Sequence, residues 1–179
     1  NMYTPREIEV ATPQPRDRPW AGWLYGGVGL STFDGDRRQV MSLKAGPTGP
    51  ASLAEEAQTY VHRHLSRSPE PRGWDNQLEN EPGLILSWNR RFPSRYSLET
   101  LGWTASAEPH FGATLGNIYT YANGGASFRL RPLAGKWQDD PVRVRPAMPG
   151  TGAFVVPAGV FAWHLFAGVE GRAVAHNIF

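Results

Sequence analysis

From residue 101 to residue 115 apolar and polar side chains alternate almost without a break. Leu101, Trp103, Ala105, Ala107, Phe111, Ala113 and Leu115 form one row; Gly102, Thr104, Ser106, Glu108, His110, Gly112 and Thr114 form the other. Period two is the signature of an extended strand with one apolar and one polar face. Strands of water-soluble domains run about 5–6 residues, whereas a tilted membrane-spanning strand needs about 9–11. The next segment repeats the scheme, with Ile118, Ala122, Ala126, Phe128 and Leu130 opposed to Asn117, Tyr119, Tyr121, Asn123, Ser127, Arg129 and Arg131. A third sets Phe161, Trp163, Leu165, Ala167 and Val169 against His164, Glu170 and Arg172. The expected fold class is all-β: an antiparallel transmembrane β-barrel whose apolar rows face lipid and whose polar rows face the lumen. The competitor is a soluble β-sandwich or lipocalin-like barrel, with short strands and apolar rows converging inward.

Composition agrees with the barrel. Among 179 residues, 20 Gly and 16 Pro make about 20%, against roughly 12% in an average protein. Seven Trp, 6 Tyr and 8 Phe are more aromatic content than disordered chains carry. Eighteen Lys+Arg against 16 Asp+Glu leave a net charge of +2, which gives no electrostatic case for nucleic acid. With no Cys, disulfides, thiolate metal sites and cysteine nucleophiles are excluded. No apolar run is long enough for a transmembrane helix, while a barrel keeps mean hydropathy low, here −0.43. The chain opens on Asn1-Met2-Tyr3 without a leader pattern and stops at Asn177-Ile178-Phe179 within strand-like sequence. Both ends read as cut, so the expectation is one domain over residues 1–179 that forms an internal part of a larger barrel.

Pro5, Pro13, Pro15 and Pro19 make residues 1–19 a loop. A hairpin is expected from Trp20–Phe33, a turn at Asp34-Gly35-Asp36 and a return strand over Arg37–Ala45. The single helix expected is Pro50–Leu65, with Pro near its start and Ser52 and Glu55 at capping-box spacing. Leu53, Ala57, Tyr60, Val61 and His64 share its apolar face, which makes His64 a packed residue; Gln58 and His62 share another. Ala134–Pro157 reads as a long loop.

Candidate chemistry centres on Gln58-Thr59-Tyr60-Val61-His62. A neutral imidazole takes a proton from water near pH 7, and a neighbouring amide can hold its orientation; the competing reading is a surface histidine. Trp74-Asp75-Asn76-Gln77-Leu78-Glu79-Asn80-Glu81 offers carboxylates and amides to a hard cation, but without EF-hand spacing it reads better as a hydrogen-bonded loop. Gly26-Gly27-Val28-Gly29 is no phosphate loop, since no GK[ST] follows, and glycine inside a strand suits close backbone approach. Inward Glu108, His110, Arg129, Arg131, Glu170 and Arg172 form either a reactive cluster or, as is usual in barrels, a structural charge ladder. A Gly-x-Ser-x-Gly elbow is absent.

Asp17-Arg18-Pro19-Trp20-Ala21-Gly22-Trp23-Leu24-Tyr25 resembles the hallmark segment of the lipid A 3′-O-deacylase (LpxR-like) family of outer-membrane barrels. Tyr3-Thr4-Pro5, Gly49-Pro50-Ala51, Gln58-x-x-x-His62, Gly73-Trp74-x-x-Gln77-x-x-Asn80-Glu81, Leu115-Gly116-Asn117 and Phe166-Ala167-Gly168-Val169-Glu170 follow the family in order. The resemblance implies a twelve-stranded antiparallel barrel in a bacterial outer membrane, of which this chain is an incomplete internal fragment with one short helix. It implies an ester hydrolase acting on lipid A of lipopolysaccharide, monomeric among outer-membrane lipids, with calcium as cofactor. His62 matches the family's general base, Gln58 the accompanying Gln, and Glu70 is the nearest candidate for a supporting acidic residue. No calcium ligands are identified in the chain. The Asn-Asp pair with which family members begin is absent, so the fragment alone is expected to be inactive. The alternative is a non-catalytic barrel of the same fold with a structural or binding role.

Overall fold

The computed structural model describes residues 1–34, 37–66, 68–92, 96–132 and 163–179. In chain order the elements are β1 (Met2–Tyr3), β2 (Ala21–Gly22), β3 (Gly26–Asp34), β4 (Arg37–Pro47), α1 (Ala54–His64), β5 (Pro82–Arg91), β6 (Tyr96–Thr100), β7 (Trp103–Gly116), β8 (Tyr119–Pro132) and β9 (Leu165–Asn177). Strands β1 and β2 pair with each other. The rest form one antiparallel sheet in the order β3-β4-β5-β7-β8-β9, with β6 also on β7. Among the described residues, no pairing joins β3 to β9. The expected loop over Ala134–Pro157 and the strand position Phe161 lie outside the described residues.

Of the hairpin expected from Trp20–Phe33 and Arg37–Ala45, β3 and β4 are the two strands, Gly26 opposite Ala45 and Asp34 opposite Arg37. The first starts at Gly26 rather than Trp20, because Ala21–Gly22 pairs with β1 instead. The expected turn at 35 and 36 lies outside the described residues. Strand β7 carries β5 and β6 on one side. Arg91 stands opposite His110 and Tyr96 opposite Ala107. Between them the Phe92 amide donates to the Pro109 carbonyl at 3.0 Å. Pro109 has no N–H to return that bond, and β5 ends there. The β6–β7 turn corrects one assignment. Leu101 and Gly102 have φ of 48° and 80° and make a two-residue turn rather than the first positions of a strand.

Burial along β7 is inverted relative to a water-soluble sheet. Thr104, Ser106, Glu108 and Thr114 are buried, while Trp103, Ala105, Phe111, Ala113 and Leu115 are exposed. In β8, Ser127 and Arg129 are buried between exposed Phe128 and Leu130. Leu84 and Leu86 of β5, Met41 and Leu43 of β4, and Leu165 and Val169 of β9 continue the outward apolar surface. A contiguous apolar belt of this size belongs against lipid, not water. The polar row faces the lumen, and the soluble sandwich is excluded. No helix among the described residues is long and apolar enough to cross a membrane.

Ile118, assigned to the outward row, is instead almost wholly buried. It lies in the short β7–β8 connection, which tucks it against Trp23 and Ile85; Tyr119, Ile178 and Phe179 pack around this cluster. A Cβ at Gly83 would come within 2.5 Å of Trp23 Nε1 and 2.7 Å of Ile118 Cδ1, so glycine is what lets β5 pass this plug. The same end of the wall carries α1, because the 48–81 connection joins the end of β4 to the start of β5.

The helix differs from expectation at its start and in its buried face. Gly49–Ser52 is a 3₁₀ turn, Leu53 takes φ 56° in the left-handed region, and α1 begins at Ala54. Ser52 Oγ donates to the Gly49 carbonyl at 2.6 Å, so the Ser52–Glu55 capping box does not form. Leu53, Ala57, Tyr60, Val61 and His64 are all exposed; the buried positions are Ala54 and Gln58. Tryptophans decide this. Trp20 and Trp74 pack on small Ala54, and the Trp74 indole N–H needs the Gln58 amide.

Candidate functional site

Helix α1 is held from below by an aromatic seat. Trp20 and Trp74 meet edge to face at 4.9 Å between ring centroids, with Ala54 and Ile8 against them. Gly73 lies flat on the Trp20 indole, where any Cβ would collide with it. The N-terminal segment ties the connection down: the Arg72 amide donates to Ile8 O at 2.8 Å and Asn76 Nδ2 to Ala11 O at 2.7 Å. Asp17 caps that segment, accepting from the amides of Arg6 and Arg18, and these bonds hold its carboxyl below the usual range.

Gln58 and His62 stand one turn apart. Gln58 is buried, and its Oε1 accepts from Trp74 Nε1 at 2.9 Å. His62 is half-buried, and its Nδ1 lies 2.6 Å from the Pro69 carbonyl oxygen. A carbonyl can only accept, so Nδ1 carries a proton, and in the neutral ring the lone pair is on Nε2. The group that orients His62 is thus a backbone carbonyl, not Gln58. Gln58 is fixed in turn by Trp74. Nothing in the sequence marks Pro69 as that partner, because a carbonyl carries no residue signature. Trp74 heads a polar run and belongs to the Gly73-Trp74-x-x-Gln77 segment, but neither marks it as the partner of Gln58.

Glu70 is not joined to His62. It forms an exposed ion pair with Arg63, Nε to Oε1 at 2.7 Å and Nη2 to Oε2 at 3.4 Å. The Arg63 hydrogen bonds and charge pull the Glu70 carboxyl below its ordinary value. His64 is exposed rather than packed. It stacks on Tyr60 at 4.6 Å, with Nδ1 3.0 Å from the Tyr60 carbonyl. Desolvation, with Glu56 and Asp75 nearby, pushes the Glu55 carboxyl up.

The polar run after Trp74 is a hydrogen-bonded loop. Asn80 Oδ1 accepts from the Ala51 amide at 2.7 Å, and Thr48 Oγ1 donates to Glu79 O while accepting from the Glu81 amide. Among the described residues no three His, Asp or Glu side chains gather to hold a metal ion. A calcium ion held here would therefore need backbone or amide carbonyl oxygens as well as carboxylates.

On the lumen side Glu108, His110, Arg129, Glu170 and Arg172 come together as expected, with Arg91 of β5 added to them. Glu108, fully buried, has Oε1 3.6 Å from Arg129 Nη1 and Oε2 4.0 Å from Arg91 Nη1. Glu170 Oε1 accepts from Arg172 Nε at 2.6 Å. Its Oε2 lies 3.4 Å from His110 Nε2 and accepts from Asn123 Nδ2 at 3.1 Å. Arg91 of β5, Glu108 of β7 and Arg129 of β8 alternate in sign across three neighbouring strands, the arrangement of a structural lining.

The whole chain, residues 1–179, matches the sequence family described as outer membrane protein LpxR. This chain is an LpxR-family protein. A comparison with curated proteins returned no match. LpxR from Salmonella typhimurium is a solved structure with the same fold, at a TM-score of 0.77 and 21% identity over 98% of this chain. The match spans 58% of the length of the Salmonella LpxR. Family membership places the chain among outer-membrane proteins and agrees with the outward apolar belt.

Proposed function

We propose that the full-length protein containing this chain is a lipid A deacylase that hydrolyses the 3′-linked acyl ester of lipid A, with His62 as general base. Family membership supports the class of activity. The observation that carries the residue assignment is the 2.6 Å contact between His62 Nδ1 and the Pro69 carbonyl. It supports the neutral tautomer with its proton on Nδ1, whose Nε2 lone pair is what a proton acceptor from water requires. His62 Nε2 takes a proton from water, the resulting hydroxide attacks the ester carbonyl, and the imidazolium returns the proton to the leaving alkoxide. Gln58 and the Trp20–Trp74 seat keep the helix from rotating, which holds that nitrogen in place. Glu70 supports the site indirectly, by tying Arg63 to the segment that carries Pro69.

Calcium belongs to this reading as a cofactor of the full-length protein, where it would supply Lewis-acid stabilisation of negative charge. Among the described residues no three His, Asp or Glu side chains gather to hold it. The test is lipid A extracted from cells expressing the full-length protein or its His62→Ala variant, analysed by mass spectrometry. Wild type should yield lipid A lacking the 3′-acyl substituent, and His62→Ala the intact form. Equal deacylation from equal amounts of folded barrel would overturn the assignment.

A further inference from the structure

The outward face of the sheet carries a recess that the hydrolase reading does not use. Ala105 and Ala107 of β7 and Ala167 of β9 form its floor, and Leu98, Phe128 and Leu165 are among its walls. Register explains why the floor is continuous. Leu98 pairs with Ala105, Ala105 with Leu130 and Leu130 with Leu165, while the next outward row runs Tyr96, Ala107, Phe128 and Ala167. Small residues in two adjacent rows between large ones leave a groove of about 820 Å³. At one end of the groove Trp103 and Trp163, both partly exposed, meet at 5.5 Å between ring centroids. A paired indole on the outer wall marks the membrane–water interface.

The groove lies at the end of the wall opposite α1. Ala107 and Gly116 are nine positions apart on β7, roughly 30 Å at the rise of an antiparallel strand, which approaches the span of the apolar band once tilt is allowed for. A site for lipid A at the α1 end therefore puts the groove in the other leaflet, where the lipids are phospholipids. We propose that this groove seats one acyl chain of an inner-leaflet phospholipid, with its ester region level with the Trp103–Trp163 pair. The leaflet assignment rests on the deacylase reading. The occupant follows from continuity with the lipid-facing belt, since a recess inside that belt faces hydrocarbon chains. Filling it lets a chain keep close contact with the wall where Ala would otherwise leave a gap.

The experiment is native mass spectrometry of the full-length protein, extracted from outer membranes in mild detergent and washed through detergent exchange. Wild type should retain a single phospholipid. Ala107→Trp, which fills the floor, should lose it, whereas Ala113→Trp, equally apolar and outward on the same strand, should keep it. Ala105→Trp is a second filling variant, should Ala107→Trp fail to assemble. His62→Ala should retain the phospholipid while failing to deacylate, so loss of the deacylase reading and loss of the groove give different results. Equal retention by wild type and both filling variants, no retained lipid in wild type, or retention of lipopolysaccharide instead would each overturn the proposal.

Discussion

Gln58 Oε1 accepts a hydrogen bond from Trp74 Nε1 at 2.9 Å, and both residues are almost wholly buried. This contact links α1 to the connection after it and sets which face of the helix is inside. Trp74→Phe keeps most of the ring but removes the donor, leaving a buried amide oxygen unpaired. That loss costs about 1–3 kcal/mol, confined to the helix because the strands do not depend on it. The expected outcome is faster hydrogen exchange of α1 amides and reduced deacylation, with unchanged heat-modifiability of the barrel on gels.

His62 and His64 lie two residues apart and should separate cleanly. General-base catalysis contributes ~10²–10⁴-fold, so His62→Ala in the full-length protein should lower the deacylation rate by that order. His64 is exposed and stacks on Tyr60 of its own helix, so His64→Ala should leave both rate and assembly unchanged. Initial rates on purified lipid A with equal amounts of each folded variant decide this; a comparable loss from His64→Ala would show that the assay reads helix integrity, not proton transfer.

Glu55 gives a pH-dependent prediction. Partial desolvation of this exposed side chain, with Glu56 and Asp75 nearby, raises its carboxyl above the unfolded value. A raised carboxyl pKa means the fold favours the protonated form: its stability contribution is full below the unfolded pKa and falls as pH rises through the folded one. Glu55→Gln should therefore slow hydrogen exchange of the first turn of α1 at neutral pH, and the gain should vanish in acid, below the ordinary carboxylate range. A gain of equal size at both pH values would point to packing instead of charge.

In the lumen, Glu108 lies between Arg91 and Arg129. Removing one partner of a buried ion pair is typically worth about 3–5 kcal/mol, because charge is left behind without its counter-ion. Glu108→Ala should accordingly lower the temperature at which the barrel unfolds in detergent, and should do so more than Glu170→Ala, whose carboxylate is less deeply buried. Unfolding followed by gel mobility against temperature gives the order directly.

The barrel wall was legible in the sequence because each β7 and β8 residue meets one environment set by its parity. A period-two pattern reports that directly, and the burial of Glu108 beneath exposed Ala105 and Phe111 repeats it in three dimensions. The failures are local and share a cause. Leu101 and Ile118 sit where the chain turns, so strand parity no longer says which way a side chain points. Helix periodicity likewise ranked Tyr60 and Val61 as the buried face. That ranking weighs hydrophobicity alone, whereas the seat is made by Trp20 and Trp74, one needing a small neighbour and the other a hydrogen-bond acceptor. For the site, the Gln58–His62 spacing was visible, but its partners were a distant indole and a backbone carbonyl, neither of which a spacing motif encodes.

The outward row supplies the last prediction, because it separates a lipid-facing wall from any soluble alternative. Phe111 lies near the middle of β7, exposed on the outer face, while Gly112 beside it faces the buried lumen side. Arginine on the lipid face at the bilayer midplane costs about 2–4 kcal/mol, falling to about 0–1 near the interfaces. Phe111→Arg should therefore destabilise folding into vesicles, and Leu115→Arg, closer to the strand end, should cost less. In a water-soluble sheet both exposed positions would accept arginine with little change. Folding of the full-length protein into phosphatidylcholine vesicles across a denaturant series measures both. Near-zero cost at Phe111 would show that this face does not meet lipid.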